Sequence, residues 1–446
     1  MCGVCGIVSE NFKPESRYWG KMCEYITKSK SISTGGCFAS SSSGYFYKEI
    51  VGCGCFAIVE GTIHNYKAIK HNLYLKGVVV ETDNVAELVL LCYMYLGQRC
   101  FKIFKGEFCV VIWNGCDKEL ILFRDKVGLN TIFYYVDGVR LVFSTKIKGI
   151  LKFPFVKAEL CEDLYCKLFT LSGGSNQGET LFSKIYEVPA GSYVRYKDLK
   201  TEVKSYHTFT ISDVTDSFPQ TVSAFKYLSK SNADNVLMTE KTMSKNQLKE
   251  NIESFVERCD FPSPYIDLKT LSNLGSEECF TDLTGIFNMP ERFKLPTSFC
   301  KKQDREFVNG FLSTLPWFEH KGEKDISKKE EIYIKQYLVL PQVVYARKNA
   351  CKNIKFPYVT EEITELSLNS LKHLKKLSKE FSETPYRRNK ENIKNLKALF
   401  SEMTECENLM CGLIEKEEIL KFTRLFPRPE TMLYLLQVNI WINRYL

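Results

Sequence analysis

Between Arg17 and Arg99 the chain contains no arginine. No guanidinium fork in that stretch can clamp a carboxylate; a lysine there offers only a point charge. Histidine is nearly as scarce, with five residues scattered at 64, 71, 207, 320 and 373. Cys2-x-x-Cys5 and Cys53-x-Cys55 have no second Cys or His pair at finger distance, so no metal site is assigned. No run of eighteen apolar residues occurs, which argues against a membrane partner. The 61 basic and 53 acidic residues leave a net charge of only +8. No basic patch interleaved with aromatics stands out, so nucleic acid is not an expected partner. No apolar leader is visible at the front, where Ser9 to Tyr18 is polar. The eighteen cysteines therefore read as reduced core thiols in a cytoplasmic protein.

What is present is a well-stocked globular chain. Its 446 residues, 44% hydrophobic, suffice for two or three domains. The chain opens Met1-Cys2-Gly3-Val4-Cys5-Gly6-Ile7-Val8. Removal of Met1 would place a thiol and a free α-amine on one residue. That amine titrates at about 7.7–8.0 and can serve as base to the thiol. Cys2 is thus a candidate nucleophile that carries its own base, and Val4, Ile7 and Val8 read as a buried strand.

Residues 17–31 read as an amphipathic helix and 31–44 as a Ser/Gly-rich loop. Residues 51–60 read as a buried strand that Gly61 breaks, and Asn65 as the cap of a helix. Thr82-Asp83-Asn84 caps a strongly apolar helix. From Gly106 the pattern is β. Glu107 to Trp113 and Glu119 to Phe123 turn on Asn114-Gly115; Ile132 to Val136 and Val139 to Ser144 turn on Asp137-Gly138. Antiparallel strands with flanking helices make a layered α+β domain.

Seven segments in order resemble the class II glutamine amidotransferases, asparagine synthetase B among them. They are Met1-Cys2-Gly3-x-x-Gly6-Ile7, Glu60-Gly61-Thr62-Ile63-His64-Asn65-Tyr66, Thr82-Asp83, Gly106-Glu107-Phe108 through Trp113, Arg124-Asp125-Lys126-Val127-Gly128-Leu129, Phe143 to Lys148, and Ile185 to Gly191. The resemblance implies an N-terminal-nucleophile αββα sandwich over 1–206. It implies that Cys2 attacks a glutamine amide, that the Gly61 N–H stabilises the oxyanion, and that Asp83 takes the substrate ammonium. It also exposes departures. Glu60 stands where the family has the Asn that donates to the oxyanion. Thr62 replaces a Glu, and the arginine that pairs the substrate carboxylate has no counterpart unless Lys48 serves.

The resemblance extends loosely over 207–446, implying a mostly helical α/β domain like a degraded ATP-pyrophosphatase domain. The family uses ATP and magnesium there, but the motifs are missing, so no cofactor is assigned. Ser172-Gly173-Gly174-Ser175-Asn176-Gln177 resembles the ATP loop yet precedes the Ile185–Gly191 strand, whereas the family's loop follows it; a turn suits it better. Thr208 to Ser212 matches a strand that in the family lies beyond that loop, so the loop reads as deleted. Cys259-Asp260-Phe261-Pro262-Ser263-Pro264 resembles a family neighbourhood. Leu283-Thr284-Gly285 lacks the magnesium-holding acids after it. Leu435 to Leu446, with Trp441, reads as an apolar closing helix.

Three readings remain open. The chain is a glutamine amidohydrolase that has lost ATP-dependent synthesis; or an N-terminal-Cys amidohydrolase for another small amide; or a non-catalytic scaffold or regulatory partner of an amidotransferase. Whether it works as a homodimer or with a partner protein is open too.

Overall fold

Alternation of apolar residues drives the first unit into strands. The computed structural model describes residues 3–282 and 333–445, apart from 10–16, 25–29, 34–36, 41–44, 51, 162–166, 169–177, 212–216, 230–235, 335–338, 352, 382–387, 407–409, 411–415 and 426–427. The chain divides into two units, Met1–Cys161 with Ser175–Thr208, and Glu162–Gly174 with Phe209–Leu446.

The first unit holds two six-stranded antiparallel sheets. One contains β1 (Val4–Ser9), β2 (Lys30–Ser33), β3 (Cys37–Ser40), β8 (Phe133–Val136), β9 (Arg140–Ser144) and β10 (Ile185–Glu187), in the order β10-β8-β9-β1-β3-β2. The other contains β4 (Tyr45–Ile50), β5 (Cys53–Ile63), β6 (Gly106–Asn114), β7 (Glu119–Arg124), β11 (Ser192–Lys197) and β12 (Lys200–Ser205), in the order β12-β11-β7-β6-β5-β4. Val4, Val8, Phe38 and Phe143 of the first sheet meet Phe56, Ile58, Val111 and Leu122 of the second in an inter-sheet core. The opposite residues of the second sheet, Ala57, Val59, Val110 and Phe123, pack under α2 (Tyr66–Leu75) and α3 (Val85–Leu96). On the far side of the first sheet lie α1 (Arg17–Glu24) and α4 (Ile147–Ile150); a Cβ on Gly149 would stand 3.6 Å from Met22 and 3.0 Å from Ser144. Two sheets between helical layers form an αββα sandwich.

Three local readings are corrected. Residues 30–33 and 37–40 are strands, not the end of a helix and a loop. Ser31 pairs with Ala39, and β3 pairs in turn with β1 through Val4 and Ser40. Ladder pairing outweighs the low strand propensity of Lys, Ser and Ala. Gly61 does not end its strand; β5 runs on to Ile63. Asn65 starts α2 without capping it. Instead its Nδ2 donates to Ile103 O (2.8 Å) and its Oδ1 accepts from Lys105 N–H (3.0 Å), tying α2 to the lead-in of β6.

The second unit has a three-stranded parallel sheet, β13 (Val236–Leu237), β14 (Cys279–Thr281) and β15 (Asn353–Lys355), with helices around it. Residues 208–211 are not a strand. β13 leads into a loop and then the helix Lys245–Arg258, which Ser244 caps through Gln247 N–H (3.2 Å). The closing helix, Pro429–Tyr445, buries Trp441, whose Nε1 donates to Asp260 O (2.9 Å). Among the described residues no helix is long and apolar enough to cross a membrane. Ser172–Gln177 and Leu283–Gly285 lie outside the described residues.

Candidate active site

Gly61 sits near the end of β5 with φ +104, where a Cβ would stand 2.1 Å from Glu107 O. Only glycine fits there. Its amide direction follows from ladder parity. Asp125 N–H donates to Phe108 O (3.0 Å), so Phe108 spends its backbone groups on the β7 side. Gly61 faces Phe108 across β5 and β6, which makes this a pair without mutual hydrogen bonds. The hydrogen-bonded pair further on, His64 N–H to Lys105 O (2.8 Å), has the matching parity. The Gly61 N–H therefore points away from β6, toward the β4 side, where the described pairing stops at Tyr45 opposite Ile58.

Glu60 pairs with Cys109 and is half-buried. Phe56 and Ile58 belong to the inter-sheet core, and alternation gives Glu60 the same face. A carboxylate thus occupies the strand position next to Gly61.

Asp83 is on the surface, its side chain 96% exposed and 3.1 Å from Lys70 Nζ. Lys70 also donates to Thr82 O (3.1 Å), and the bond to Asp83 is the main cause that pushes its ammonium pKa up. The backbone under Asp83 is rigid. Glu87, buried in the first turn of α3, accepts from Glu81 N–H (3.0 Å), Thr82 N–H (2.7 Å) and the Thr82 hydroxyl. Tyr66 donates its hydroxyl to Thr82 O (3.2 Å), which links this turn to the start of α2 just beyond Gly61. Asn84 caps α3 through Ala86 N–H (3.0 Å), as its sequence predicts. Neither Glu87 nor Tyr66 was among the sequence candidates; a Glu four residues after Asp83 was the available signal.

The Arg124-Asp125 motif is structural. The buried guanidinium pairs with Glu187 (2.7 Å) and donates to Val188 O (2.7 Å) and Gly128 O (2.6 Å). Buried Asp125 accepts from the N–H groups of Val127 (3.1 Å), Gly128 (2.7 Å), Leu129 (2.9 Å) and Asn130 (3.1 Å). That nest fixes the segment crossing from β7 in one sheet to β8 in the other. Its end brings Asn130 to Gly61: Nδ2 lies 2.5 Å from the point a Gly61 Cβ would take. Sequence reasoning passed over Asn130, since nothing local to it suggests a site.

Cys2 lies outside the described residues. Gly3 is buried, and Val4 is held by Thr145 through Val4 N–H to Oγ1 (3.2 Å) and Thr145 N–H to Val4 O (2.9 Å). Cys5 is no rival nucleophile: burial, then its contact with Cys23, pushes its thiol well above the ordinary range. Among the described residues no group of three or more Cys, His, Asp or Glu is placed to hold a metal.

Residues 52–207 match the glutamine amidotransferase domain family. The N-terminal unit is similar to the class II glutamine amidotransferases, asparagine synthetase-like proteins among them. Its relatives include asparagine synthetase [glutamine-hydrolyzing] 3 of Bacillus subtilis (strain 168), 25% identical over 171 residues, 38% of this chain and 28% of the relative. Another is amidase chry2 of Gibberella zeae, 26% identical over 141 residues, 32% of this chain and 20% of the relative. The chain thus spans less than a third of the length of these curated relatives. The solved glutamine phosphoribosylpyrophosphate amidotransferase from B. subtilis, complexed with ADP and GMP, is 12% identical with a TM-score of 0.35, covering 58% of this chain and 59% of that one. That likeness is too slight to argue from.

Proposed function

We infer that this amidotransferase-family chain hydrolyses the side-chain amide of glutamine through Cys2, in the cytoplasm, and no longer couples the ammonia to ATP-dependent synthesis. The observation that supports the reading is Gly61: its positive φ is open only to glycine, and the strand pairing directs its N–H away from β6. Such an N–H is a donor for a tetrahedral oxyanion. Once processing frees its α-amine, Cys2 can attack the amide carbon while the amine takes the thiol proton. The amine then protonates the leaving nitrogen as ammonia, and water hydrolyses the thioester. Exposed Asp83 can exchange its Lys70 partner for a substrate ammonium.

In the second unit a strand–loop–helix spans 236–258, the kind of element that could cradle a phosphate, and its loop, Met238–Ser244, contains no glycine. The loop's polar groups are taken by side chains on and before the helix Lys390–Glu405. Met243 N–H donates to Asn392 Oδ1 (2.7 Å), and Asn392 Nδ2 donates to Lys241 O (2.9 Å) and Glu240 (2.8 Å). Asn395 Nδ2 donates to Met243 O (2.9 Å). These residues do not fit a triphosphate. A non-catalytic scaffold is the second reading, favoured by the carboxylate at residue 60.

The test is intact mass of the purified protein before and after a glutamine-shaped diazo-ketone, with ammonia release from glutamine measured alongside. One adduct on Cys2 and release of ammonia are expected. A single adduct without release from glutamine, but with release from another small amide, would move the substrate and keep the chemistry. Neither adduct nor ammonia from any amide would leave the scaffold.

A further inference from the structure

We propose that the edge strand β12 pairs with the same strand of a second copy of this chain, antiparallel about a two-fold axis at Val203, so that two sheets become one.

β12 ends its sheet, and among the described residues no strand pairs with its outer side. The direction of its backbone groups follows from the hairpin that joins it to β11. Asp198 and Leu199 form a two-residue loop with φ +50 and +60. Lys197 and Lys200 therefore close the loop as a hydrogen-bonded pair. Alternation makes Arg195 with Glu202, and Tyr193 with Lys204, hydrogen-bonded pairs as well. Donation from Tyr206 N–H to Gly191 O (2.9 Å) has the same parity. The N–H and C=O groups of Thr201, Val203 and Ser205 thus point outward, away from β11. Val203 is 48% exposed.

Charged side chains on an edge usually discourage pairing. Here they select one register. An axis at Glu202 or at Lys204 would set that residue against its own copy, and like charges directly opposite repel. An axis at Thr201 or Ser205 would run the ladder off an end of the strand. An axis at Val203 sets Thr201 against the partner's Ser205 and Val203 against the partner's Val203, both with backbone groups that face outward. Glu202 then lies opposite the partner's Lys204. That pair is of the non-hydrogen-bonded kind, in which Cα atoms approach to about 4.5 Å and side chains are closer. Glu202 already accepts from Lys204 of its own strand (2.8 Å). The partner's Glu202 and the partner's Lys204 complete a square of alternating charge. A ladder this short buries well below the ~1,200 Å² of stable interfaces, so assembly is weak and reversible.

The experiment is sedimentation velocity of the full chain at low salt between about 1 and 500 µM, where an interface this small assembles. A reversible shift from monomer to dimer is expected. Val203→Pro removes an N–H that has no partner within one chain, and proline is tolerated on an edge. It should abolish the dimer and keep the thermal midpoint. Glu202→Lys and Lys204→Glu each set like charges opposite one another and should raise Kd at least about tenfold. Mixing these two variants brings opposite charges face to face and should restore a dimer holding one of each. A role confined to the single chain would not produce that rescue. A monomer at every concentration would overturn the proposal. So would a dimer whose Kd all three variants move by less than about threefold, since another surface would then form it. A mixture that stays as monomeric as its two components would overturn the register.

Discussion

At residue scale the decisive contrast is between Glu60 and its neighbour. Gly61 is held by geometry: φ is +104 and the nearest atom to an added Cβ is a backbone oxygen at 2.1 Å. Gly61→Ala therefore forces either a backbone shift or a strained φ, costing about 1–3 kcal/mol, and it displaces the N–H. The expected outcome is a lower urea midpoint together with loss of ammonia release. A variant with unchanged midpoint would mean that β5 can relax beside Glu107. Glu60, next to it on β5, carries no such backbone constraint. The structure places Gly61 and Glu60 side by side on β5 and Asp83 on the surface, while Cys2 lies outside the described residues. Cys2, Gly61, Asp83 and Glu60 were all singled out from their order along the chain. The approach of Asn130 to Gly61 was not, because it comes from a crossing between sheets that no local pattern reveals.

At element scale the segment from Arg124 to Asn130 explains how a connection between sheets is held. Four backbone N–H groups converge on one buried carboxylate, Asp125. Hydrogen bonds to a charged acceptor contribute about 1.5–3 kcal/mol each, less when shared. Asp125→Asn presents an N–H to donors that need an acceptor, and should lower stability by about 3 kcal/mol. Chemical denaturation checks this, and a change under 1 kcal/mol would mean that Arg124 alone secures the crossing. The β hairpins at 106–124 and 133–144 were readable because their alternation and turns agree. β2 and β3 were not, since Lys, Ser and Ala carry little strand signal and only the pairing of β3 with β1, and of β2 with β3, gives them their form. Asn65 misled for a related reason. It has the chemistry of a helix cap, but the approach of β6 offered its side chain two backbone partners instead.

At the scale of the whole molecule the two units differ in what they retain. The first has a glycine, Gly61, whose positive φ and close approach to Glu107 O admit no other residue. The second has a strand–loop–helix at 236–258, whose strand β13 is two residues long and whose loop, Met238–Ser244, contains no glycine. The loop's hydrogen-bonding capacity is turned inward. Glu240 accepts from Asn389 N–H (3.1 Å) and Asn392 Nδ2 (2.8 Å), while Asn389 Nδ2 donates to the Thr242 hydroxyl (2.7 Å). A nucleotide would have to displace Asn392 and Asn395 and lie beside a carboxylate, an arrangement that repels phosphate. Ligand present at a hundred times its Kd stabilises a fold by about 2.7 kcal/mol, so binding would be visible as a raised thermal midpoint. Magnesium–ATP at millimolar concentration is expected to leave the midpoint of the full chain flat and to yield no AMP. Glu240→Ala with Asn392→Gly should reopen the loop's N–H groups and give the first measurable nucleotide shift. A raised midpoint in the unaltered protein would mean that the Asn clasp opens for nucleotide, and the loop would then be a gated site instead of a closed one.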